Sequence, residues 1–308
     1  MPSMRALHQK KYGDVSTFEM GDLPVPTPGT SEVLLRVHAA GLNPIDLKRS
    51  YLCNPDDETF PVVTGYDVAG VVESVGSGVT DFAPGDRVFG DPQEPSGAAK
   101  STGTVAEFCV GKQHLLARMP EGTSFVEAAA LPVAACTAVQ ALEIAGLKEG
   151  DKLFISGGAG GVGIHAIQIA KALFGASEVA TTASAVKTDF VKMYGADKVV
   201  DYKTEDAGKV LAGWADVALD TTSESEMEKR VLKEGGSLVS IAEFGTPGVR
   251  AMMLEPGRKL LEQLAKLLKE GKLKAVVDSV YELEEGVKAV QHVAGGRAKG
   301  KVVVKVHE

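Results

Sequence analysis

The feature that most constrains the fold of this chain is a glycine cluster between a strand-like run and a helix-like run. Residues 153–155 form a short apolar stretch with strand character, and apolar side chains from Val162 onward recur at the spacing of a buried helix. Between them, Gly158, Gly160 and Gly163 fit the pattern G-x-G-x-x-G. The arrangement predicts a tight turn that presents the N–H groups of a helix N-terminus to the phosphates of a dinucleotide.

The same loop fits a second spacing, because Gly157, Gly160 and Gly163 recur at every third residue. Small residues are needed there: one glycine permits the turn, one lets the backbone approach the pyrophosphate, and one lets the helix pack closely on the strand. An ordinary glycine-rich turn is the alternative, which the flanking strand and helix disfavour. The predicted phosphate-binding residues are Gly157, Gly158, Ala159, Gly160, Gly161, Val162 and Gly163.

Composition and charge argue against several classes of function. The chain has 308 residues, a net charge of −8 and no basic block, which disfavours nucleic acid or an anionic membrane as its partner. No apolar run approaches the roughly 20 residues that span a bilayer, and residues 1–13 lack the apolar core of a signal peptide. Cys53, Cys109 and Cys136 are isolated, which indicates reduced thiols and a cytoplasmic location. A transit peptide removed from a longer precursor stays an open alternative.

The first part of the chain, residues 1–122, is rich in predicted strands. In one of them, Val33, Leu35 and Val37 alternate with neighbours that include Arg36. This period of two predicts a strand with one face buried and the other exposed.

Beyond residue 122 strands and helices alternate, and this alternation predicts a parallel sheet covered by helices on both faces. The last part of the chain returns to strand character. We therefore expect an α/β protein with a β domain at residues 1–122, a doubly wound domain at 123–256, and a segment at 257–308 that completes the first domain.

The residues beyond the glycine loop indicate which dinucleotide binds. In nicotinamide-binding folds an acidic residue about 20 positions after the glycines holds the ribose 2′-OH of NAD. Here that stretch reads TAS at 182–184, ending in Ser184, and Lys187 follows. A neutral strand end with a nearby cation suits the 2′-phosphate of NADPH, and Tyr202 follows the next strand, where an aromatic ring flanks the adenine. The alternative is that Lys187 is a solvated lysine in the first turn of a helix.

Several longer segments resemble the medium-chain dehydrogenase/reductase superfamily across essentially the whole chain. The similarity is carried by GLNPIDLKR (41–49), VTGYDVAGVV (63–72), LPVAACTAVQAL (131–142), SGGAGGVG (156–163), GADKVVDY (195–202) and KGKVVV (299–304). Within the superfamily the chain looks like the zinc-independent quinone oxidoreductase branch, near plant-type alkenal/enone oxidoreductases and chloroplast-envelope quinone oxidoreductase homologues.

The resemblance implies a GroES-like β domain, a Rossmann domain and a cleft between them. It also suggests a homodimer, and a chloroplast location if the chain is from a plant or alga. It implies that Thr137 approaches the nicotinamide end of NADPH. It also implies that Ser184, Lys187 and Tyr202 surround the 2′-phosphate, and that the backbone near Ile241 and Ala242 faces the nicotinamide. The cofactor-binding residues it adds are Thr137, Ser184, Lys187, Tyr202, Ile241, Ala242, Lys299 and Gly300.

The resemblance also bears on metal binding. Zinc enzymes of the superfamily place a Cys and a Gly-His-Glu segment at the catalytic metal, whereas the matching positions here hold Asn43, Tyr66 and Asp67. Zinc favours thiolate and imidazole ligands, which Asn and Tyr do not supply. We therefore expect no metal, and an acceptor that is already electron-poor.

The resulting expectation is an NADPH-dependent reductase of 2-alkenals, vinyl ketones, enones or quinones, acting on a small electrophilic carbonyl compound or quinone. The cofactor carries the chemistry, and a hydrogen-bond donor stabilises the developing enolate oxygen. The candidate catalytic residues are Asn43, Lys48 and Tyr66, on the two segments that line the nicotinamide pocket in relatives. The alternative is that Tyr66 packs under the strand at 68–75 and that Lys48 is solvated. Two alternatives remain open: a non-catalytic NADPH-binding protein of the crystallin-like or RNA-binding type, and an enoyl-thioester reductase.

Overall fold

The computed structural model describes residues 2–52, 59–92 and 103–307, with the side chains of 49–52 excepted. The strands are β1 Ser3–Gln9, β2 Phe18–Pro24, β3 Glu32–Leu42, β4 Val62–Val63, β5 Asp67–Val75, β6 Arg87–Gly90, β7 Phe108–Lys112, β8 Leu116–Arg118, β9 Lys152–Ile155, β10 Glu178–Ala183, β11 Lys198–Asp201, β12 Ala215–Asp220, β13 Leu232–Ser240, β14 Arg250–Ala251, β15 Val277–Glu282 and β16 Lys301–Lys305. The helices are α1 Pro44–Leu52, α2 Phe125–Ala129, α3 Pro132–Ala145, α4 Gly161–Ala172, α5 Thr188–Met193, α6 Ala207–Val210, α7 Ser225–Val231, α8 Arg258–Lys269 and α9 Gly286–Ala294.

The chain forms two compact units, and the first of them uses both ends of the sequence. The first unit comprises residues 1–133, 255–269 and 275–308, and the second comprises 134–254 and 270–274. The first boundary therefore falls later than the sequence-based position of 122. The reason is that α2 packs on β3 and β5 of the first unit, where Ala128 and Ala129 are fully buried.

The first unit contains a sheet in the order β15-β16-β3-β5-β6-β8, with β7 also paired to β3, and a smaller sheet in the order β2-β1-β4. Strand β3 was expected to expose one face, and this prediction is wrong. Only Arg36 of β3 is exposed, whereas Leu34 and His38 are buried. The strand lies inside the sheet, and α2 and α9 pack against it, so a period of two in the sequence did not reveal that both faces are covered.

The second unit is built on a parallel sheet in the order β11-β10-β9-β12-β13-β14. The chain starts in the middle at β9, moves outward through β10 and β11, and then returns to the other side of β9 with β12. This is the 3-2-1-4-5-6 order of the doubly wound dinucleotide-binding fold, in which ligands bind at the carboxyl ends of the strands where the order reverses. The predicted fold class is confirmed.

None of the helices in the described part of the chain has the length and apolar character needed to cross a bilayer. Cys109 and Cys136 are buried, and Cys53 lies outside the described residues. Burial raises the pKa of the Cys109 thiol to about 12, so this thiol stays protonated and is a poor nucleophile at neutral pH.

Candidate functional site

The glycine loop lies between the carboxyl end of β9 and the start of α4, as the sequence predicts. The N–H of Gly157 donates to Thr182 Oγ1 at 2.9 Å, and the N–H of Gly158 donates to the Thr182 carbonyl at 3.1 Å. These bonds fix the loop to the end of the neighbouring strand β10. Gly157 has φ +68°, a left-handed conformation that glycine adopts without steric cost.

The three glycines of the G-x-G-x-x-G pattern are required for different reasons. A Cβ on Gly158 would overlap Thr181 Oγ1, and a Cβ on Gly163 would lie 2.5 Å from the Gly157 carbonyl oxygen. Among the described residues, a Cβ on Gly160 would meet nothing closer than that same oxygen at 3.4 Å. Gly158 and Gly163 are therefore needed for packing within the protein, whereas the space beside Gly160 is open. Such a cradle at a helix N-terminus fits a pyrophosphate.

The predicted 2′-phosphate residues lie at the same edge of the sheet. Ser184 follows β10 and Tyr202 follows β11, and the last residues of these strands, Ala183 and Asp201, are partners in the parallel ladder. Ser184 is 7% exposed and Tyr202 is 56% exposed, and Lys187 ends a 3₁₀ turn directly after Ser184. A buried hydroxyl, an exposed aromatic ring and a half-buried lysine thus lie after the carboxyl ends of two neighbouring strands, β10 and β11.

The structure distributes the other predicted cofactor residues over both units. Thr137 is a buried residue of α3, and Ile241 and Ala242 follow β13 directly in the second unit. Lys299 and Gly300 belong to the first unit. There the N–H of Lys299 donates to Asp278 Oδ1 at 2.8 Å, and Gly300 turns the chain into β16 with φ +91°.

A buried polar cluster that the sequence analysis missed lies beneath the ends of β9, β12 and β13. Asp220 ends β12, is fully buried, and accepts hydrogen bonds from Ser240 Oγ at 2.6 Å and from Ser156 Oγ at 3.2 Å. Ser240 Oγ in turn accepts the N–H groups of Ala242 at 3.0 Å and Glu243 at 2.8 Å. One carboxylate therefore holds the residue before the glycine loop and the segment after β13. The signal in the sequence was an acidic residue at the end of an apolar strand.

A second buried cluster joins the two ends of the first unit. The Lys301 ammonium donates to the Leu42 carbonyl at 2.7 Å, to Asp67 Oδ2 at 2.9 Å and to Asn43 Oδ1. Asn43 Nδ2 also donates to Asp67 Oδ2 at 2.8 Å, and Asp67 Oδ1 accepts the N–H of Val133 at 2.6 Å. All three side chains of this Lys301 cluster (Asn43, Asp67 and Lys301) are nearly inaccessible, at 4%, 0% and 3% exposure.

The Lys301 cluster tests whether a catalytic zinc fits at the positions that match the metal ligands of zinc enzymes. The oxygen atoms that a cation would use there, Asn43 Oδ1 and Asp67 Oδ2, already bind the Lys301 ammonium. The described residues contain no group of three or more His, Cys, Asp or Glu side chains able to hold a metal ion. This donor set is suited to an ammonium group and does not fit zinc, which favours thiolate and imidazole ligands.

The other two candidate catalytic residues have different surroundings. Tyr66 is half-buried and follows Gly65, whose φ is +110°, in the turn that leads into β5. Lys48 is an exposed residue of α1, and the N-terminal part of that helix is fixed by the Asn43 N–H, which donates to Asp46 Oδ2 at 2.6 Å. The Lys301 cluster therefore anchors the start of α1 through Asn43 and the start of β5 through Asp67.

Comparison with known proteins gives matches that cover nearly the whole chain. Residues 29–141 match the family described as alcohol dehydrogenase GroES-like domain, and residues 194–304 match the family described as zinc-binding dehydrogenase. The chain is 40% identical to 2-methylene-furan-3-one reductase of Solanum lycopersicum and 36% identical to chloroplastic NADPH-dependent alkenal/one oxidoreductase of Arabidopsis thaliana. Each alignment covers 98% of this chain and 79% of the relative.

Solved structures give the same result. The structure of the quinone oxidoreductase from Coxiella burnetii superposes with a TM-score of 0.87 at 31% sequence identity. The superposition covers 99% of this chain and 100% of that one. The likeness therefore extends over both compact units.

Proposed function

The chain belongs to the medium-chain dehydrogenase/reductase superfamily, in the branch of quinone oxidoreductases and alkenal/enone reductases, and on that basis we propose that it reduces activated C=C bonds or quinones with NADPH. The class of acceptor is inferred from one observation, which is that the Lys301 ammonium donates hydrogen bonds to the side-chain oxygens of Asn43 and Asp67. Because this donor set does not suit zinc, we propose that no metal at these positions polarises an alcohol. The acceptor must then be electron-poor by itself, as an enone, an alkenal or a quinone is.

The residues that would hold NADPH are those of the glycine loop and of the strand ends. Backbone N–H groups at the start of α4 would bind the pyrophosphate beside Gly160, and Ser184 and Lys187 would bind the 2′-phosphate. Bound NADPH supplies a hydride to the electron-poor β-carbon. The protein's own part is to position the acceptor, to exclude water, and to donate a hydrogen bond to the oxygen on which negative charge develops.

We assign that donor role to Tyr66 and Lys48, and a holding role to Asn43. Asn43 was predicted as a catalytic residue, but its amide is 4% exposed and bonded to Lys301 and Asp67. It is therefore engaged in holding the Lys301 cluster. Tyr66 carries an O–H and Lys48 an ammonium, and either can stabilise a developing enolate oxygen. The proton that completes the reduction comes from a side chain or from solvent.

The direct test is NADPH oxidation measured side by side with 1,2-naphthoquinone, a 2-alkenal, a vinyl ketone, a furanone and a 2-enoyl thioester. We expect turnover with at least one non-thioester acceptor, and unchanged turnover after exhaustive chelation. Turnover of the thioester alone would identify an enoyl-thioester reductase. If NADPH binds and no acceptor is reduced, the protein is a non-catalytic NADPH-binding protein, and a filter-binding assay with RNA then tests that alternative.

Replacing Lys187 by alanine is expected to weaken NADPH binding while leaving NADH binding almost unchanged. The lysine would contact only the 2′-phosphate, and loss of one charge-assisted bond costs about 1.5–3 kcal/mol, which is roughly tenfold or more in affinity. The measurement is the KM for each cofactor, with Lys192→Ala on α5 as the matched exposed control. Equal losses for both cofactors would show that Lys187 is only a surface residue.

The Tyr66→Phe and Lys48→Ala variants are expected to lower kcat with an enone. Loss of one donor to an oxyanion typically costs 10²–10³-fold in kcat. The dissociation constant of NADPH is measured for each variant, so that a binding defect is separated from a chemical one, and Lys11→Ala, an exposed residue of the same unit, is the control. If both variants stay within about threefold of the wild type, this protein contributes positioning and neither side chain stabilises the oxyanion.

Assembly and location are two further proposals, and the relatives bear only on the location. We propose a homodimer, which light scattering of the purified protein tests directly. The relatives from Arabidopsis thaliana and Spinacia oleracea are described as chloroplastic or as chloroplast-envelope proteins. A chloroplast location of this chain, against a cytoplasmic one, is tested by imaging the tagged full-length protein in its own cells.

A further inference from the structure

One buried acid in the second unit takes no part in the proposed reaction. Glu228 lies on α7, which packs against α6, β12 and β13. Its side chain is fully buried, and neither carboxyl oxygen has a hydrogen-bond partner among the described residues. A buried carboxylate without partners is unfavourable, whereas a neutral carboxyl group is much less so.

The charged groups around Glu228 are carboxylates. Asp220 at the end of β12, together with Glu224 and Glu243, makes ionisation of Glu228 less favourable. Three cations of α7 and β13 have other partners: Arg230 binds Asp206, directly before α6, at 2.8 Å, Lys233 binds Asp216 at 2.5 Å, and Lys229 binds Glu226 at 2.5 Å. Lys209 of α6 is exposed. No ion pair within the described residues compensates a charge on Glu228.

Burial is the largest effect on this group. The pKa of Glu228 is raised from 4.5 to about 9, mainly by burial and next by the negative charge of Asp220, whereas the neighbouring Ser156 hydroxyl acts in the opposite direction. Glu228 is therefore neutral at pH 7, and Asp220 is the carboxylate that holds Ser156 and Ser240. Glu228 and Asp220 thus lie on two elements that pack against each other, α7 and β12.

We propose that Glu228 is a positioning residue of the dinucleotide site, and that it supports NADPH binding only while it carries its proton. The proposal rests on the NADPH site described above. When the Glu228 proton leaves to solvent, two buried negative charges face each other with no cation between them. Displacement of Asp220 relieves the repulsion. Because Asp220 accepts the hydrogen bonds of the Ser156 and Ser240 hydroxyls, this movement releases both hydroxyls, and with them the loop after β9 and the segment after β13.

The test is the pH dependence of the NADPH dissociation constant between pH 7.5 and pH 10, measured by fluorescence titration. At pH 10, one unit above a pKa of about 9, roughly one molecule in ten keeps the proton, so we expect the wild-type dissociation constant to rise about tenfold. Glu228→Gln preserves the shape of the neutral acid and is expected to change less than threefold over the same range. Glu226→Gln, an exposed position on the same helix, is expected to follow the wild type.

Two results would overturn the proposal: a wild-type dissociation constant that does not change with pH, or a Glu228→Gln variant that loses affinity in parallel with the wild type. Measurement of Glu228→Gln beside the wild type also controls for lysine and tyrosine side chains that titrate near pH 10, because both proteins contain them. If Glu228→Gln does not fold, Glu228→Met replaces it as a second uncharged side chain. The expected result is the same for both substitutions.

The melting temperature of the protein without cofactor gives a second test, which does not depend on NADPH binding. The folded-state pKa of Glu228 lies above its unfolded value of 4.5, so the folded state binds more protons between pH 4.5 and about 9, and stability falls as pH rises through this window. The melting temperature of the wild type is therefore expected to drop more than that of Glu228→Gln between pH 7 and pH 9. Absence of NADPH binding at every pH would disprove the proposed function, whereas equal melting profiles would disprove the role of the Glu228 proton.

Discussion

Replacing Lys301 by methionine is expected to lower the free energy of unfolding by about 3–5 kcal/mol, because it leaves the buried carboxylate of Asp67 without its cation. Asp67 is fully buried, and its Oδ2 would keep only the bond from Asn43 Nδ2. Methionine has a similar length and removes the charge without opening a large cavity. The measurement is urea denaturation followed by circular dichroism, with Lys305→Met on the same strand as the control.

The second variant for this prediction is the double substitution Lys301→Met with Asp67→Asn. Removal of both charges is expected to recover part of the lost stability, because the penalty comes from one uncompensated ion and not from loss of the pair as such. A single Lys301→Met variant within about 1 kcal/mol of the wild type would show that Asp67 is not dependent on this ammonium.

Replacing Gly163 by alanine is expected to destabilise the second unit and to abolish measurable NADPH binding. The new Cβ would lie 2.5 Å from the Gly157 carbonyl oxygen and 2.7 Å from Gly158 Cα, so the loop backbone must move. Overpacking of this kind costs typically about 1–3 kcal/mol and sometimes more. The melting temperature without cofactor and the dissociation constant of NADPH are measured together.

Gly160→Ala is the matched control. It distinguishes a glycine that internal packing requires from a glycine that leaves space for the cofactor. Its Cβ meets nothing within 3.4 Å, so the apo stability is expected to change by no more than about 1 kcal/mol. NADPH affinity is nevertheless expected to fall at least tenfold, because the Cβ enters the space that the pyrophosphate needs. Unchanged NADPH binding by Gly160→Ala would mean that the pyrophosphate does not lie beside this residue.

The sequence predicted well which residues lie at the carboxyl edge of the parallel sheet, because the signals there are local. The strand, the glycines and the helix are contiguous, and Ser184 and Tyr202 follow strands whose apolar character is visible. The Lys301 cluster could not be predicted in this way. Lys301 stands in an apolar strand and meets Asp67 at a separation of 234 residues, so its partner is decided by sheet pairing and not by spacing in the chain.

The interior of the second unit also contains side-chain contacts that could not be predicted from the sequence. The position of Asp220 at the end of β12 was visible in the sequence, but its carboxylate accepts hydrogen bonds from Ser156, Thr222, Glu224 and Ser240, which the sequence did not identify. In the sequence, Glu228 is indistinguishable from an acidic residue on an exposed helix face, because it stands among charged residues. Two of these neighbours, Glu226 and Lys229, do form an ion pair with each other. Only the packing of α7 on the sheet shows that its carboxyl group is buried.

The position of β16 has a consequence for the order in which the protein folds during synthesis. β16 pairs with β3 on one side and with β15 on the other, so the sheet of the first unit gains this strand only after almost the whole chain has been made. Residues 134–254, which carry the parallel sheet of the second unit, leave the ribosome earlier and fold as a unit in the meantime. Throughout that interval the part of β3 that later pairs with β16, residues 39–42, has no partner on that edge, and Asp67 still lacks its ammonium. The nascent protein is thus most in need of chaperone protection at its N-terminal half, although that half was made first.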